Sequence, residues 1–442
     1  MMNKNTNLSL ISLSVFLLPF ACAPKAQSPR GQAESPPSKR HPPPRVAFAL
    51  CDEGLPVTGM WKCDPVFKDI NMDGSLDLAA VARKGDGAHV LLGNGRGGWK
   101  DSSSGLNTGK SSCGGGLSFG DVNGDRILDM AYADHCHGVS VFLGDKDGRW
   151  TVAASGMFPT ALVDAEGNTQ YYVGAEDIDI GDVNGDGYPD LVAGSSDSGG
   201  IALYLGDGSG KNWTYTGSGT GPNAGLPSIW GANRVMFADI DRDSHLDVIA
   251  SYGPGPRVWR GDGKGGWTNA YQGLPDSSMR GLFRGLAIGD VNEDGRLDIA
   301  SANWIDGPEV YLQQADGTWV KTPDVFPEML GGAVGLAMGD IDADGHLDMA
   351  VSGRLALDVG FVHGVFLLYG DGKANWTWSP DNGIAETGLA FTWGVALADV
   401  NGDGLLDVAT GSGGIVATAP GPTEPSIPVR LPVWCSQRRA PQ

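Results

Sequence analysis

The sequence predicts an all-β protein, a seven-bladed β-propeller of four-stranded antiparallel blades. Three observations carry this expectation. An acidic loop of pattern D-x-[DN]-x-D-G-x-x-D recurs seven times, a turn landmark ending in Trp recurs in phase with it, and no segment beyond the N-terminus keeps a 3.6-residue apolar period. The 69 Gly, 27 Pro and 13 Trp among 442 residues agree with many short strands joined by turns.

Along the chain, a leader comes first. Residues 1–23, MMNKNTNLSLISLSVFLLPFACA, set a Lys before an apolar stretch from Leu8 to Phe20 and then small residues, the pattern of a secretory signal too short to span a membrane. Two processing routes fit. Cleavage after Ala23 would use Ala21 and Ala23 as the small residues; alternatively Cys22 would be lipidated as in a bacterial lipoprotein, although Pro19 and Phe20 depart from that signal. Either route places the protein outside the cytoplasm, secreted or in the cell envelope, with a membrane met only through the lipid. Residues 24–45 are rich in Pro and polar residues and form a tether that cannot bury a core.

The repeats fill residues 46–436. Their first acids are Asp69, Asp121, Asp182, Asp239, Asp290, Asp340 and Asp399, spaced 50 to 61 residues apart. The second landmark reads LLGNGRGGW, FLGDKDGRW, YLGDGSGKNW, WRGDGKGGW, YLQQADGTW and LYGDGKANW. Each is an apolar strand, a Gly/Asp turn and a Trp that opens the next strand, which is a hairpin signal. One unit is therefore strand, acidic loop, strand, connection, strand, tight turn, Trp-led strand. Such a sheet has two faces to cover, and radial stacking of seven covers both. Small residues in GLSFGD, GLAIGD, GLAMGD and GVALAD suit a crowded centre.

Six hairpin landmarks accompany seven acidic loops, so one outer strand is missing. RVAFALCDEGLP near the N-terminus resembles strand ends such as WTNAYQGLP and is expected to supply it, with VRLPVWC as its neighbour in the last blade. That closure brings Cys51 to Cys435, where a disulfide is expected. Cys113 and Cys136 fall at one end of a single hairpin and are expected to pair as well, leaving Cys63. A competing reading makes His135, Cys136 and His137 a soft-metal site with Cys63 and Cys113.

The acidic loops offer side-chain oxygens at positions one, three, five and nine. These are Asp69, Asn71, Asp73 and Asp77; Asp121, Asn123, Asp125 and Asp129; Asp182, Asn184, Asp186 and Asp190; Asp239, Asp241, Asp243 and Asp247. The series continues with Asp290, Asn292, Asp294 and Asp298; Asp340, Asp342, Asp344 and Asp348; Asp399, Asn401, Asp403 and Asp407. Hard oxygens in a tight loop suit Ca²⁺, and up to seven ions are expected. An EF-hand would need an acid at position twelve, yet Ala80, Tyr132, Ala193, Ala250, Ser301, Val351 and Thr410 stand there. The formal net charge of −21 is then largely countercharge for metal, and it excludes nucleic acid as a partner.

With these loops in view, the chain resembles the FG-GAP/VCBS repeat proteins, whose calcium-loop blades also form the head of the integrin α-subunit. The resemblance covers nearly all of residues 46–436 and implies Ca²⁺ between the first two strands of each blade, with the Tyr188 carbonyl joining Asp182, Asn184, Asp186 and Asp190 in the third. Arg126 and Ser244 replace the loop Gly, so blades two and four depart from the pattern.

The remaining chemistry is expected on the opposite rim, where the connections vary in sequence. Tyr171, Tyr172, Trp230, Arg234, Arg280, Phe283, Arg284, Trp304 and Trp393 gather there or at inner-strand starts, forming a carbohydrate or peptide site. GLSFG at 116–120 matches G-x-S-x-G, but Ser118 aligns with strand residues Ala287 and Ala337. No other catalytic set is present. The leading reading is a monomeric calcium-binding propeller, not an enzyme, acting in recognition or adhesion toward a carbohydrate or extracellular protein ligand. Alternatives are a polysaccharide lyase or hydrolase using the non-calcium face, and a purely structural envelope protein.

Overall fold

The computed structural model describes residues 46–438 apart from 86, 107–110, 158–161, 164–168, 171–173, 196–199, 217–230, 254, 276–282, 324, 326–331, 358–359, 379–383, 385–390 and 414–429. Cys22 and the leader therefore lie outside the described residues. Every regular element among those described is a β-strand. Seven antiparallel sheets stand in a propeller ring. From axis to periphery, blade two is Leu117–Gly120, Asp129–Asp134, Gly138–Gly144 and Trp150–Met157, and blade three is Asp177–Gly181, Asp190–Ser195, Gly200–Gly206 and Trp213–Tyr215. Blades four, five and six begin at Ala232–Ala238, Phe283–Gly289 and Ala333–Gly339 and end at Trp267–Asn269, Trp319–Lys321 and Trp376–Trp378. Blade one divides its inner strand into Met60–Trp61 and Val66–Lys68.

The apolar runs account for the stacking. The second strand of blade three, Asp190–Ser195, is buried along its whole length, as expected for a strand covered on both faces. Separate hydrophobic clusters fill the gaps between neighbouring blades. Val141 and Ala131 meet Ile178 and Tyr204 between blades two and three, and Val192 and Leu203 meet Val235 and Trp259 between blades three and four. At the axis the strands approach so closely that side chains are excluded. A Cβ on Gly335 would lie 2.7 Å from the Cα of Gly394, and one on Gly394 would strike the Asp64 carboxylate.

The ring closes through both ends of the repeat region. Blade seven takes Thr392–Ala398 and Asp407–Ser412, then Val433–Arg438, and finally the N-terminal Val46–Leu50, which pairs antiparallel with Val433–Arg438 in the register Ala49 to Cys435. Cys51 and Cys435 are disulfide-bonded, with Cα atoms 5.7 Å apart and a sequence separation of 384.

A repeated latch joins outer strands. The Trp99 indole donates to the Cys51 carbonyl at 3.0 Å, Trp150 to Ser102 at 3.0 Å and Trp319 to Ala270 at 2.8 Å, each reaching back to the preceding blade. The backbone N–H groups of Trp99 and Trp319 also donate to Glu53 and Gln272, the residues before Gly-Leu-Pro at 54–56 and 273–275. The N-terminal strand thus does for blade one what Trp267–Asn269 does for blade five, which is why the two stretches resemble each other in sequence.

Candidate functional site

On one rim, the seven acidic loops share a common construction. The ninth-position Asp opens the second strand and is fully buried in every blade. One of its oxygens accepts the N–H of the second loop residue, as from Val183 to Asp190 at 3.0 Å; the other accepts an N–H from the third strand, as from Gly206 to Asp190 at 2.9 Å. In blade seven, Ser436 on the C-terminal strand takes the third-strand role, 2.7 Å from Asp407. The first Asp folds the loop tip: Asp182 accepts from Gly185 and Gly187 at 2.8 and 2.9 Å. Charge-assisted bonds of this kind are worth about 1.5–3 kcal/mol each.

Each tip needs two left-handed residues. The sixth position is one, with Gly187 at φ 87° but Arg126 at 70° and Ser244 at 72°. The fourth position is the other, and it is filled by Met72, Arg242, Glu293 and Ala343 as well as by glycine. The consensus pattern shows no residue preference there, so nothing in it announces this second requirement. Left-handed geometry costs a residue with a Cβ roughly 1–2 kcal/mol.

The donor set fits a hard divalent cation. Oxygens of Asp239, Asp241 and Asp247 lie within 4.8 Å of one another, as do those of Asp340, Asp342 and Asp344. Asp241 Oδ1 is buried and receives no hydrogen bond from the described residues. Burial, reinforced by the neighbouring loop acids, pushes Asp129, Asp190, Asp247 and Asp298 up to about 6, opposed by their backbone N–H donors. A cation among these oxygens would relieve that repulsion.

At the other rim, a small cleft opens on the axis. All seven blades contribute to it. The residue six places before the first Asp of each loop lines the cleft in every blade: Cys63, Gly115, Glu176, Asn233, Arg284, Val334 and Trp393. In blades four to seven this position falls within a β-bulge at the start of the inner strand, between Ala232 and Arg234, Phe283 and Leu286, Ala333 and Gly335, and Thr392 and Val395. A bulge adds one residue to its strand and re-aims a side chain.

Charges in the cleft are mostly paired. Lys62 Nζ lies 2.9 Å from Glu176, which His135 also contacts. Burial disfavours the Glu176 charge, but His135 and Lys62 hold its carboxyl well below the usual range. Arg234 bridges Asp64 at 2.5 Å and Asp177 at 3.3 Å. Burial pushes Asp177 up to about 7 despite Arg234, with Asp64 adding to the rise. Beside these pairs stands an aromatic group: Phe391 lies 4.8 Å from Trp393 and 5.3 Å from Trp304, and Arg354 covers the Trp304 ring at 4.7 Å. The extended hairpin of blade six, Asp348–Leu357 and Gly360–Gly370, carries Arg354 and His363 to this group.

Of the residues expected to bind a ligand, Trp393 and Arg284 line the cleft, and Trp304 belongs to the adjoining aromatic group. Arg234 is instead committed to Asp64 and Asp177. Trp230, Arg280, Tyr171 and Tyr172 lie outside the described residues, as does the Phe283 side chain. Cys113 and Cys136 form a disulfide, Cα atoms 5.5 Å apart, so the soft-metal set with His135 and His137 is not assembled. Cys63 is a buried free thiol, pushed up to about 12 by burial. Ser118 is an inner-strand residue donating to Asp179 at 2.8 Å. Sequence reasoning missed Lys62, Asp64, Glu176, Asp177, Asn233 and Phe391. Counting six places back from each loop would have found Glu176 and Asn233.

The fold and the loops together define a repeat propeller with one acidic and one axial rim. The FG-GAP-like repeat model matches residues 69–132, 182–250, 239–301 and 290–351, and a second FG-GAP repeat model matches 391–422. The chain belongs to the FG-GAP-like repeat family. Cartilage acidic protein 1 of Homo sapiens is 27% identical over 168 residues, 37% of this chain and 23% of that protein. The Mus musculus protein is likewise 27% identical over 168 residues, 24% of its length, so the chain spans about a quarter of these curated relatives. Among solved structures, a chain of BBS1N in complex with ARL6DN superposes with a TM-score of 0.52 at 10% identity, over 89% of this chain and 98% of that one. An Agrocybe aegerita lectin, solved with specific recognition of non-reducing terminal N-acetylglucosamine, has a TM-score of 0.45 at 16% identity, over 73% of this chain and 79% of that one.

Proposed function

We propose that this chain is an extracellular or envelope recognition protein, in which Ca²⁺ in the acidic loops fixes the propeller and the axial cleft receives the ligand, a carbohydrate or an extracellular protein. The observation that carries the reading is a contrast between rims. Positions one, five and nine of the acidic loop are Asp in all seven repeats, while the cleft position six places earlier holds seven different residues. Identical residues at equivalent places suit one repeated structural task, whereas seven different groups converging on one cleft suit a single asymmetric ligand. The secretory pattern of residues 1–23 and the two disulfides agree with an oxidising compartment.

Glycan and peptide arrays probed with the mature chain, in calcium and in chelator, test this. Binding in calcium that Trp393→Ala abolishes is the expected result. No binding on any array, together with cleavage of a polysaccharide, would replace recognition by enzymatic action; no binding and no cleavage would leave a structural envelope role.

A further inference from the structure

Among the described residues, Arg284 is a cation of the axial cleft with no carboxylate in direct contact. Lys62 is held by Glu176, and Arg234 by Asp64 and Asp177, but no carboxylate among the described residues lies within salt-bridge distance of the Arg284 guanidinium. Its charge instead rests 5.8 Å from the centre of the Trp393 ring. Two independent features hold it there. The inner strand of blade five bulges between Phe283 and Leu286, and the Arg284 carbonyl is fixed by the Ser251 hydroxyl at 2.8 Å. Burial pulls the Arg284 pKa down, offset only in part by the Glu176 charge, so the guanidinium sits where an anion would be welcome. An arginine kept half-buried with no carboxylate in direct contact has a desolvation cost that a bound carboxylate would offset, most effectively through both arms of its planar fork.

The rest of the wall narrows the anion's identity. Glu176, Asp64 and the Asn233 amide surround the same small space and offer acceptors to hydroxyl groups. A phosphate or a polyanion would bring two or more charges against those carboxylates and the net charge of −21, whereas a hydroxyl-rich body with one carboxylate brings a single charge, which Arg284 matches. The enclosed space of the cleft is small, about 50 Å³. That space admits the carboxylate-bearing end of a single residue and not a length of folded partner. We propose that the axial cleft binds the carboxylate-bearing terminal residue of an acidic saccharide, of the hexuronic acid class, with its carboxylate on Arg284 and its hydroxyls facing Glu176, Asp64 and Asn233. This rests on the cleft being the ligand site.

Calorimetric titration of the mature chain with glucuronate, its methyl ester, glucose and N-acetyl-aspartyl amide tests the assignment. Glucuronate is expected to bind about tenfold or more tightly than the ester or glucose, a difference of about 1.4 kcal/mol. In Arg284→Gln, checked for an unchanged melting temperature, the preference should shrink to less than about twofold, and Arg284→Lys should keep part of it because the charge remains while the fork is lost. Equal binding of glucuronate and its ester to the unaltered protein would overturn the proposal with no variant needed. So would a preference that survives Arg284→Gln, or tighter binding of the aspartyl amide. If the arrays find a neutral glycan whose binding requires Trp393 and glucuronate is no better than glucose, the acid assignment fails while recognition by the cleft stands.

Discussion

The two rims of this propeller are built by opposite rules. On the acidic rim each blade repeats one small structure: Asp at positions one, five and nine, the ninth buried and bound to two backbone N–H groups. On the axial rim no blade repeats another, and the cleft exists only as the sum of seven different contributions. Uniformity on one side stabilises the scaffold seven times over, which leaves the other side free to vary residue by residue. If that division holds, the acidic rim governs stability and the axial rim governs binding.

Calcium removal offers the largest test. Several sites, each contributing about 2.7 kcal/mol at a hundredfold excess over its dissociation constant, would raise the melting temperature by more than about 10 °C between chelator and saturating calcium. An unchanged melt, with no metal in elemental analysis, would dissolve the distinction between the rims. Next in size is the ring closure. Cys51→Ser with Cys435→Ser is expected to cost on the order of 5 kcal/mol in denaturant unfolding, and Cys113→Ser with Cys136→Ser nearer 3, because the first bond closes a 384-residue separation and the second one of 23. Equal losses would show that the closure has no special standing.

Within one acidic loop the effects should divide. Asp190→Ala orphans the N–H groups of Val183 and Gly206 and should cost about 2–4 kcal/mol even in chelator; Asp186→Ala, at the exposed tip, should matter mainly when calcium is present. If both variants behave alike in chelator, the ninth Asp has no duty beyond the metal.

The axial rim has its own pH signature. The folded pKa of Asp177, about 7, exceeds the ordinary carboxyl value, so the folded state holds a proton that the unfolded state has lost. Its contribution is fully present below about pH 4 and is lost as pH rises toward 7, by roughly a few kcal/mol at most. Measured in saturating calcium, where the loop acids are held ionised, the decline should flatten in Asp177→Asn; an equally steep decline would assign it elsewhere. Smallest is the expected gain from Arg126→Gly or Ser244→Gly, each about 1 kcal/mol in chemical denaturation, since both residues occupy a left-handed turn that glycine adopts without a Cβ penalty. No gain would mean that the side chains offset their strain through contacts of their own.

Much of the scaffold was legible in the sequence alone. Seven in-phase acidic loops, the Trp turns and the likeness of RVAFALCDEGLP to WTNAYQGLP determined blade count, strand order and closure, because each signal lies within a short stretch and is governed by local turn chemistry and alternation. The double role of the ninth Asp was less accessible: its second donor, such as Gly206, lies on another strand. The left-handed fourth position leaves no mark in composition, since Met72, Arg242 and Glu293 all adopt it. The axial cleft was decided by tertiary structure. Lys62, Glu176, Arg284 and Trp393 are separated by scores of residues and meet only because ring closure brings seven inner strands to one axis. The bulges that re-aim them arise from how each strand pairs with its neighbour, and no residue in isolation carries that information.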